Sequence, residues 1–277
     1  MNKFKVDFRY KFHYLIPIFI LAFPFSSYAA DAKPSNNKKL LILTEQLYPL
    51  NYTASGKDDE LVLGYATRLV RAVMEESGLP YEIILVPWAR LVRTINQKND
   101  VMAFSMSRTK TRDPLYHWIG EIIPVRLFLY GKRSDLKRLP RSLEEAKKFR
   151  IGTRNATVPN EYLKAKGFPN LVEVKDNNRY MLLLERDRFD LFPFIEYAIG
   201  PAAIRGNFDV NYFASAVAIP ELSTTLWIAM NKNSDPILVR KLRNAYETTV
   251  ATGSYQEIIR PLIEMIESID SQALPNN

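Results

Sequence analysis

The sequence contains no cysteine and only two histidines, His13 and His117. Without cysteine, the chain has no disulfide, thiolate zinc site, iron–sulfur cluster, cysteine nucleophile or lipid-modified amino-terminal cysteine. The histidines lie outside any H-E-x-x-H motif, and no G-x-S-x-G turn is available to present a catalytic serine. These absences favour a binding protein over an enzyme, and we expect neither a cofactor nor a metal.

Glycine is also scarce, with ten residues spread over 277 positions. They form neither G-x-x-x-x-G-K-[ST] nor G-x-G-x-x-G, so no phosphate-binding loop is predicted. The composition is otherwise ordinary for a globular protein, with 47% hydrophobic and 25% charged residues, and the length suits one large domain or two smaller ones. Catalysis by paired carboxylates stays open at this point, because any two acidic residues could meet in the folded chain.

The amino-terminal segment has the pattern of a secretory signal peptide. Four basic residues among the first eleven precede a nearly continuous apolar run from Tyr14 to Phe25, and Ser27-Tyr28-Ala29 places small residues where signal peptidase cleaves. A membrane anchor is the alternative, but the apolar run falls well short of the roughly 20 residues needed to span a bilayer. We therefore predict that residues 1–29 are removed and that the protein is periplasmic. This cleavage lowers the formal net charge from +8 to +5.

The rest of the sequence alternates strand patterns and helix patterns. Short apolar runs and helical spacing, as in Gly64 to Ser77, predict a β-α-β-α-β unit over Lys39 to Phe104. A second alternating series begins after about residue 130, and helices over Asp235 to Thr252 and from Ser254 onward follow it. This alternation predicts an α/β fold with mostly parallel sheets flanked by helices.

Several short motifs occur in a recognisable order. In the first half they are Lys39 to Tyr52, Gly64-Tyr65-Ala66, Val86-Pro87-Trp88-Ala89-Arg90-Leu91 and Asp100 to Arg112. In the second half they are Ile151-Gly152-Thr153, Asn160 to Lys164 and Arg188-Phe189-Asp190. Each motif is weak alone, but together, over residues 38–262, they resemble the family 3 periplasmic solute-binding proteins, the amino-acid-type substrate-binding components of ABC transporters.

The resemblance implies a two-lobed periplasmic-binding-protein fold of type II, with a small ligand held between the lobes. The chain is expected to start in lobe 1, cross to lobe 2 and return. Lobe 1 is then 38–129 plus 222–262, lobe 2 is 130–221, and 263–277 form a carboxyl-terminal tail. Ligand contacts with both lobes exist only when the cleft is shut, so ligand binding shifts the open–closed equilibrium toward the closed form.

The resemblance also implies ligand contacts in lobe 1. Arg112 takes the place of the arginine that clamps the ligand carboxylate, and a guanidinium fork matches a carboxylate in two parallel hydrogen bonds. The other implied contacts are Ser107 and Ser105 beside the carboxylate, Trp88 and Tyr48 as aromatic walls, and Glu45 at the cleft rim. Trp88 has an alternative role in the core, because it begins the apolar stripe of a predicted helix.

Lobe 2 departs from the family pattern. Family members that bind α-amino acids have an aspartate for the ligand ammonium where this sequence has Ile195, followed by Glu196. Either Glu196 takes the ammonium after a one-residue shift, or the ligand has no α-ammonium. The implied contacts from the preceding loop of lobe 2 are Arg154, Asn155 and Thr157. The expected ligand is a small polar carboxylate, with amino-acid specificity left open.

Two partners are consistent with this resemblance. The first is the membrane permease of an ABC transporter, and the second is a periplasmic sensor domain of a histidine kinase or cyclic-di-nucleotide enzyme. A dehydratase-type enzyme is a third hypothesis, with Glu45 and Glu196 as its acids. Nine basic residues from Lys132 to Arg154 form a basic run that we interpret as a solvated face and not a nucleic-acid interface. The protein is expected to be a monomer.

Overall fold

The computed structural model describes residues 39–54, 61–175 and 179–273. The predicted signal peptide, residues 1–29, lies outside these ranges. Within them, no helix combines the length and the apolar character needed to cross a membrane.

The described residues alternate between strands and helices. In chain order the elements are β1 (Leu40–Thr44), α1 (Tyr65–Ser77), β2 (Tyr81–Leu85), α2 (Trp88–Gln97), β3 (Val101–Ser107), β4 (Tyr116–Val125), β5 (Leu127–Lys132), α3 (Leu143–Ala146), β6 (Ile151–Thr153), α4 (Val158–Ala165), β7 (Leu171–Glu173), α5 (Tyr180–Glu185), β8 (Phe192–Ile195), α6 (Glu196–Arg205), β9 (Phe213–Ala218), β10 (Thr224–Asn231), α7 (Pro236–Ala251) and α8 (Ser254–Ala273).

The first sheet has the strand order β2-β1-β3-β10-β4. Strand β1 pairs in parallel with β2 and with β3, which confirms the predicted β-α-β-α-β unit. Strand β10 then pairs antiparallel with both β3 and β4. Successive side chains of β3 enter different cores: Met102 packs with the buried face of α1, and Ala103 packs with α2. The sheet is therefore covered by helices on both faces.

The second sheet region contains β8-β5-β9, all antiparallel, and the parallel pair β6-β7. A parallel bridge between Ile151 and Leu191 links the two groups of strands. Side chains alternate here too, since Leu129 and Tyr130 of β5 pack into different cores. We use lobe 1 for residues 39–125 and 224–273 and lobe 2 for residues 127–218.

Two boundaries differ from those expected from the sequence. Strand β5 begins at Leu127 and pairs with β8 and β9, so the first crossing lies at Arg126 and not after residue 129. Helix α8 continues to Ala273, so the region from 263 expected as a tail is largely helical. The apolar face of α8 packs on α1 and α7. Met265 and Ile266, which lie beyond the predicted end of the lobe, pack against the same core.

Candidate functional site

A cavity of about 110 Å³ lies between the two lobes. Its lining comes from the loop after β1, α2, β3, the loop after β3 and β10 in lobe 1, and from β5, the loop after β6, α4, α5 and β8 in lobe 2. The residues expected from the sequence that line it are Glu45, Trp88, Ser105, Ser107, Arg112, Arg154 and Thr157. The fold therefore brings seven of the ten expected ligand residues around one space.

Arg112 is a buried charged residue of lobe 1 in this cavity, with 8% of the residue exposed. Its guanidinium carbon lies 5.2 Å from the centre of the Trp88 ring, and Nη2 donates a hydrogen bond of 3.2 Å to the carbonyl of Ala156. Burial lowers the pKa of Arg112 below its ordinary value, because the charged form loses water. The side chain remains a cation at neutral pH and has five N–H donors. It is suited to hold an anion in the cavity.

Trp88 connects the two lobes. Its ring packs in the core between the first sheet and α2, and its Nε1 donates a hydrogen bond of 2.7 Å to Ala156 across the cavity. Ala156 has a φ of 58°, in the left-handed region that residues other than glycine rarely adopt. The Trp88 ring therefore belongs to the core, and its N–H group lies in the cleft between the lobes.

Glu45 and Arg154 form a second connection between the lobes. Glu45 follows β1 and Arg154 follows β6, and their side chains are 11% and 12% exposed. Arg154 Nη1 donates to Glu45 Oε2 and Nη2 donates to Oε1, with an Nη2–Oε1 distance of 3.1 Å. The Tyr180 hydroxyl lies beside this pair, and burial raises its pKa to about 12, so it stays neutral. The cavity thus contains a buried, two-pronged ion pair that spans the cleft.

Asn51 holds two of the cavity residues in place. Its side chain is fully buried, and Nδ2 donates to the backbone carbonyl of Glu45 while Oδ1 accepts a 2.5 Å hydrogen bond from Ser105 Oγ. Ser105 has a φ of 61° within β3, a conformation that needs such support in a residue with a side chain. Nothing in the sequence motifs marked Asn51, which lies in a polar, turn-rich stretch.

Residues 40–263 match the sequence model of the bacterial extracellular solute-binding proteins, family 3. The chain belongs to this family. The curated proteins contain no sequence match to the chain. Family 3 members are solute-binding or sensor proteins and are typically extracellular or periplasmic.

Solved structures of other proteins share the family 3 fold. A histidine kinase sensor domain with similarity to periplasmic binding proteins has a TM-score of 0.71 at 16% identity, over 81% of this chain and 95% of that one. The arginine-, lysine-, histidine-binding protein ArtJ from Geobacillus stearothermophilus has a TM-score of 0.68 at 20% identity, over 81% of this chain and 94% of that one. An amino acid ABC transporter substrate-binding protein from Streptococcus pneumoniae, bound to L-arginine, has a TM-score of 0.68 at 16% identity, over 82% of this chain and 95% of that one. The expected type II periplasmic-binding-protein fold is confirmed.

Three expected ligand residues of this family 3 protein lie outside the cavity lining: Tyr48, Asn155 and Glu196. The Tyr48 ring packs edge-on against Tyr52 with centroids 4.7 Å apart, and Arg205 lies over both rings. Asn155 is exposed. The Glu196 carboxylate lies 2.6 Å from the Arg126 guanidinium at the crossing between the lobes. Glu196, expected as a ligand-binding acid, therefore lies outside the cavity lining: α6 begins at this residue and its carboxylate contacts Arg126.

Sequence reasoning missed most of the apolar part of the family 3 cavity. The additional lining residues include Leu47, Leu127, Tyr180, Phe194, Ile195 and Leu226. They come from elements far apart in sequence, so no local motif identifies them as a group. One signal was present: Phe192 and Phe194 alternate on β8, and the structure places Phe192 in the lobe 2 core and Phe194 at the cavity.

The basic run from Lys132 to Arg154 is partly neutralised by ion pairs. Lys132 contacts Asp187 at 2.6 Å, and Arg150 contacts Asp190 at 2.6 Å. Its last member, Arg154, belongs to the cavity. Within the described ranges, no group of three or more His, Asp or Glu side chains converges as it would around a metal ion.

Proposed function

We propose that this protein captures a small carboxylate-bearing molecule between its lobes. The observation that carries the proposal is the buried Arg112 guanidinium, which lies in the cavity beside the Trp88 ring. Ser105 and Ser107 of β3 line the same cavity. Burying a guanidinium is unfavourable unless it meets an anion or several acceptors. A ligand carboxylate would supply two acceptor oxygens in the geometry that the guanidinium fork matches.

Cleft closure is the proposed mechanism of capture. The cavity volume of about 110 Å³ is below the roughly 300–1,000 Å³ of typical small-molecule sites, which supports a separation of the lobes when a ligand enters. The cross-lobe contacts through Ala156 and between Glu45 and Arg154 exist only while the cleft is shut. A ligand that contacts Arg112 and lobe 2 together stabilises this closed form.

The partner we propose is the membrane permease of an ABC transporter, in the periplasm after removal of residues 1–29. The support is family membership together with the S. pneumoniae substrate-binding protein described above. A periplasmic sensor domain is the alternative partner, since a kinase sensor domain shares the fold. Pull-down of the ligand-loaded protein with each class of membrane protein distinguishes the two, because only the true partner should retain it in a ligand-dependent manner.

A thermal-shift screen tests the capture of a carboxylate. Among amino acids, polyamines and organic acids, we expect the melting temperature to rise only with compounds that carry a carboxylate. At a concentration of 100 times the Kd, linkage gives roughly 2.7 kcal/mol of added stability. The matched control is the primary amide of each active acid, which should leave the melting temperature unchanged. Stabilisation by polyamines alone would contradict the proposal.

Glu196→Gln is expected to leave ligand affinity unchanged. The carboxylate lies at the crossing, paired with an Arg126 side chain that is 50% exposed, and not at the cavity. Loss of such a partly exposed pair should lower the free energy of unfolding by no more than about 1 kcal/mol. Calorimetric titration with the best compound of the screen measures the Kd. A tenfold weaker Kd would place Glu196 in the ligand site after all.

A further inference from the structure

The cavity carries an unbalanced positive charge. Its charged lining residues are Arg112, Arg154 and Glu45, so the sum is one positive charge. The nearby Glu161 lies 4.0 Å from Arg112, but its side chain is 53% exposed, outside the cavity lining, and is screened by water. We infer that the natural ligand is a short monocarboxylate without an ammonium group, an inference that rests on the proposed carboxylate capture.

The cavity carboxylate that could accept from an α-ammonium is already engaged. An ammonium has three donors, and both oxygens of Glu45, the one acid in the described cavity lining, accept hydrogen bonds from Arg154. To reach Glu45, an ammonium would have to displace the Arg154 guanidinium, which is 12% exposed and would then be a buried cation without its partner carboxylate. The Glu196 carboxylate, the other candidate, is held at Arg126. The site therefore disfavours a ligand ammonium.

A monoanion fits the same charges without rearrangement. Its carboxylate meets Arg112, the cavity becomes neutral overall, and the Glu45–Arg154 pair remains intact across the closed cleft. A zwitterionic amino acid leaves the positive charge uncompensated and adds an ammonium to be solvated. The difference favours the acid over the amino acid of the same shape.

The remaining lining suits an apolar ligand body. Trp88, Leu47 and Leu226 come from lobe 1, and Phe194, Leu127 and Ile195 come from lobe 2. Such walls bind hydrocarbon by removing apolar surface from water, while one charged group fixes the orientation. The ligand class is thus an aliphatic or aromatic monocarboxylate, including 2-oxo acids.

Matched pairs of compounds test this inference. The pairs are leucine with 4-methylpentanoate and phenylalanine with 3-phenylpropionate, and 4-methyl-2-oxopentanoate represents the oxo acids. Calorimetric titration of the full mature protein should give a Kd at least tenfold lower for the acid than for the amino acid in each pair that binds. Equal affinities, or a lower Kd for the amino acid, would overturn the inference while leaving carboxylate capture in place. If none of the five compounds binds and no carboxylate shifts the melting temperature, the proposed function itself fails.

Glu45→Gln separates the two possible roles of this acid. If the ligand has no ammonium, the variant should weaken binding of the acid and of the matched amino acid by the same factor, because each closed complex loses the same Glu45–Arg154 ion pair. If Glu45 holds a ligand ammonium, the variant should weaken the amino acid at least tenfold more than the matched acid, and this result would overturn the inference. Glu196→Gln is the matched control, since it makes the same chemical change outside the cavity. Thermal unfolding of both variants shows that each is folded at the titration temperature.

Discussion

Replacement of Arg112 by alanine is expected to abolish most of the affinity for a carboxylate ligand. Removing one partner of a buried, hydrogen-bonded charge pair weakens binding by roughly 2–5 kcal/mol, or about 30- to 5,000-fold in Kd. The effect should be this large because Arg112 is buried in the cavity beside Trp88, where water cannot replace its hydrogen bonds to the ligand. Calorimetric titration with the best carboxylate measures the change.

Two further variants make the Arg112 result specific. Arg112→Lys keeps the positive charge but loses the fork, so its Kd should lie between those of wild type and Arg112→Ala. Arg108→Ala removes a guanidinium from the same segment, one that is exposed and paired with Asp113 at 2.6 Å, and it should bind like wild type. An unchanged Kd for Arg112→Ala would remove this residue from the ligand site.

Phe192→Ala is expected to destabilise lobe 2 more than any surface change. The ring is fully buried, stacks on Tyr180 with centroids 5.2 Å apart and packs edge-on against Phe194 and Phe213 at 5.8 and 6.1 Å. Truncating a buried phenylalanine removes its transfer free energy and leaves a cavity, which lowers the free energy of unfolding by about 3–5 kcal/mol. Urea unfolding followed by circular dichroism measures this difference.

The same substitution should also affect the ligand site. Phe192 supports Tyr180 and Phe194, and both of these side chains line the cavity between the lobes. Ile204→Ala is the control, since Ile204 is 69% exposed and should change the free energy of unfolding by less than about 0.5 kcal/mol. A loss below 1 kcal/mol for Phe192→Ala would mean that lobe 2 repacks around the missing ring.

Local patterns in the sequence were enough to predict the first half of lobe 1. Strands β1, β2 and β3 are short apolar runs joined by helices with clear 3.6-residue spacing, and both signals depend only on near neighbours. Strands β4, β5 and β9 were not predicted. Each pairs antiparallel with a strand more than 60 residues away, so its place in the sheet is set by the tertiary structure and not by near neighbours.

The proposed ligand site likewise has one part that the sequence indicated and one part that only the tertiary structure decided. The sequence, through its resemblance to family 3, indicated the proposed anion-binding side, whose residues Ser105, Ser107 and Arg112 lie within one strand and the turn that follows it. Only the tertiary structure decided which acid faces the cavity. Glu45 and Glu196 each follow a strand, but Glu45 meets Arg154 across the cleft and Glu196 turns to Arg126 at the crossing. The physical reason is that a side chain's direction at the end of a strand is set by the next element and by the charge packed against it, and both come from distant parts of the chain.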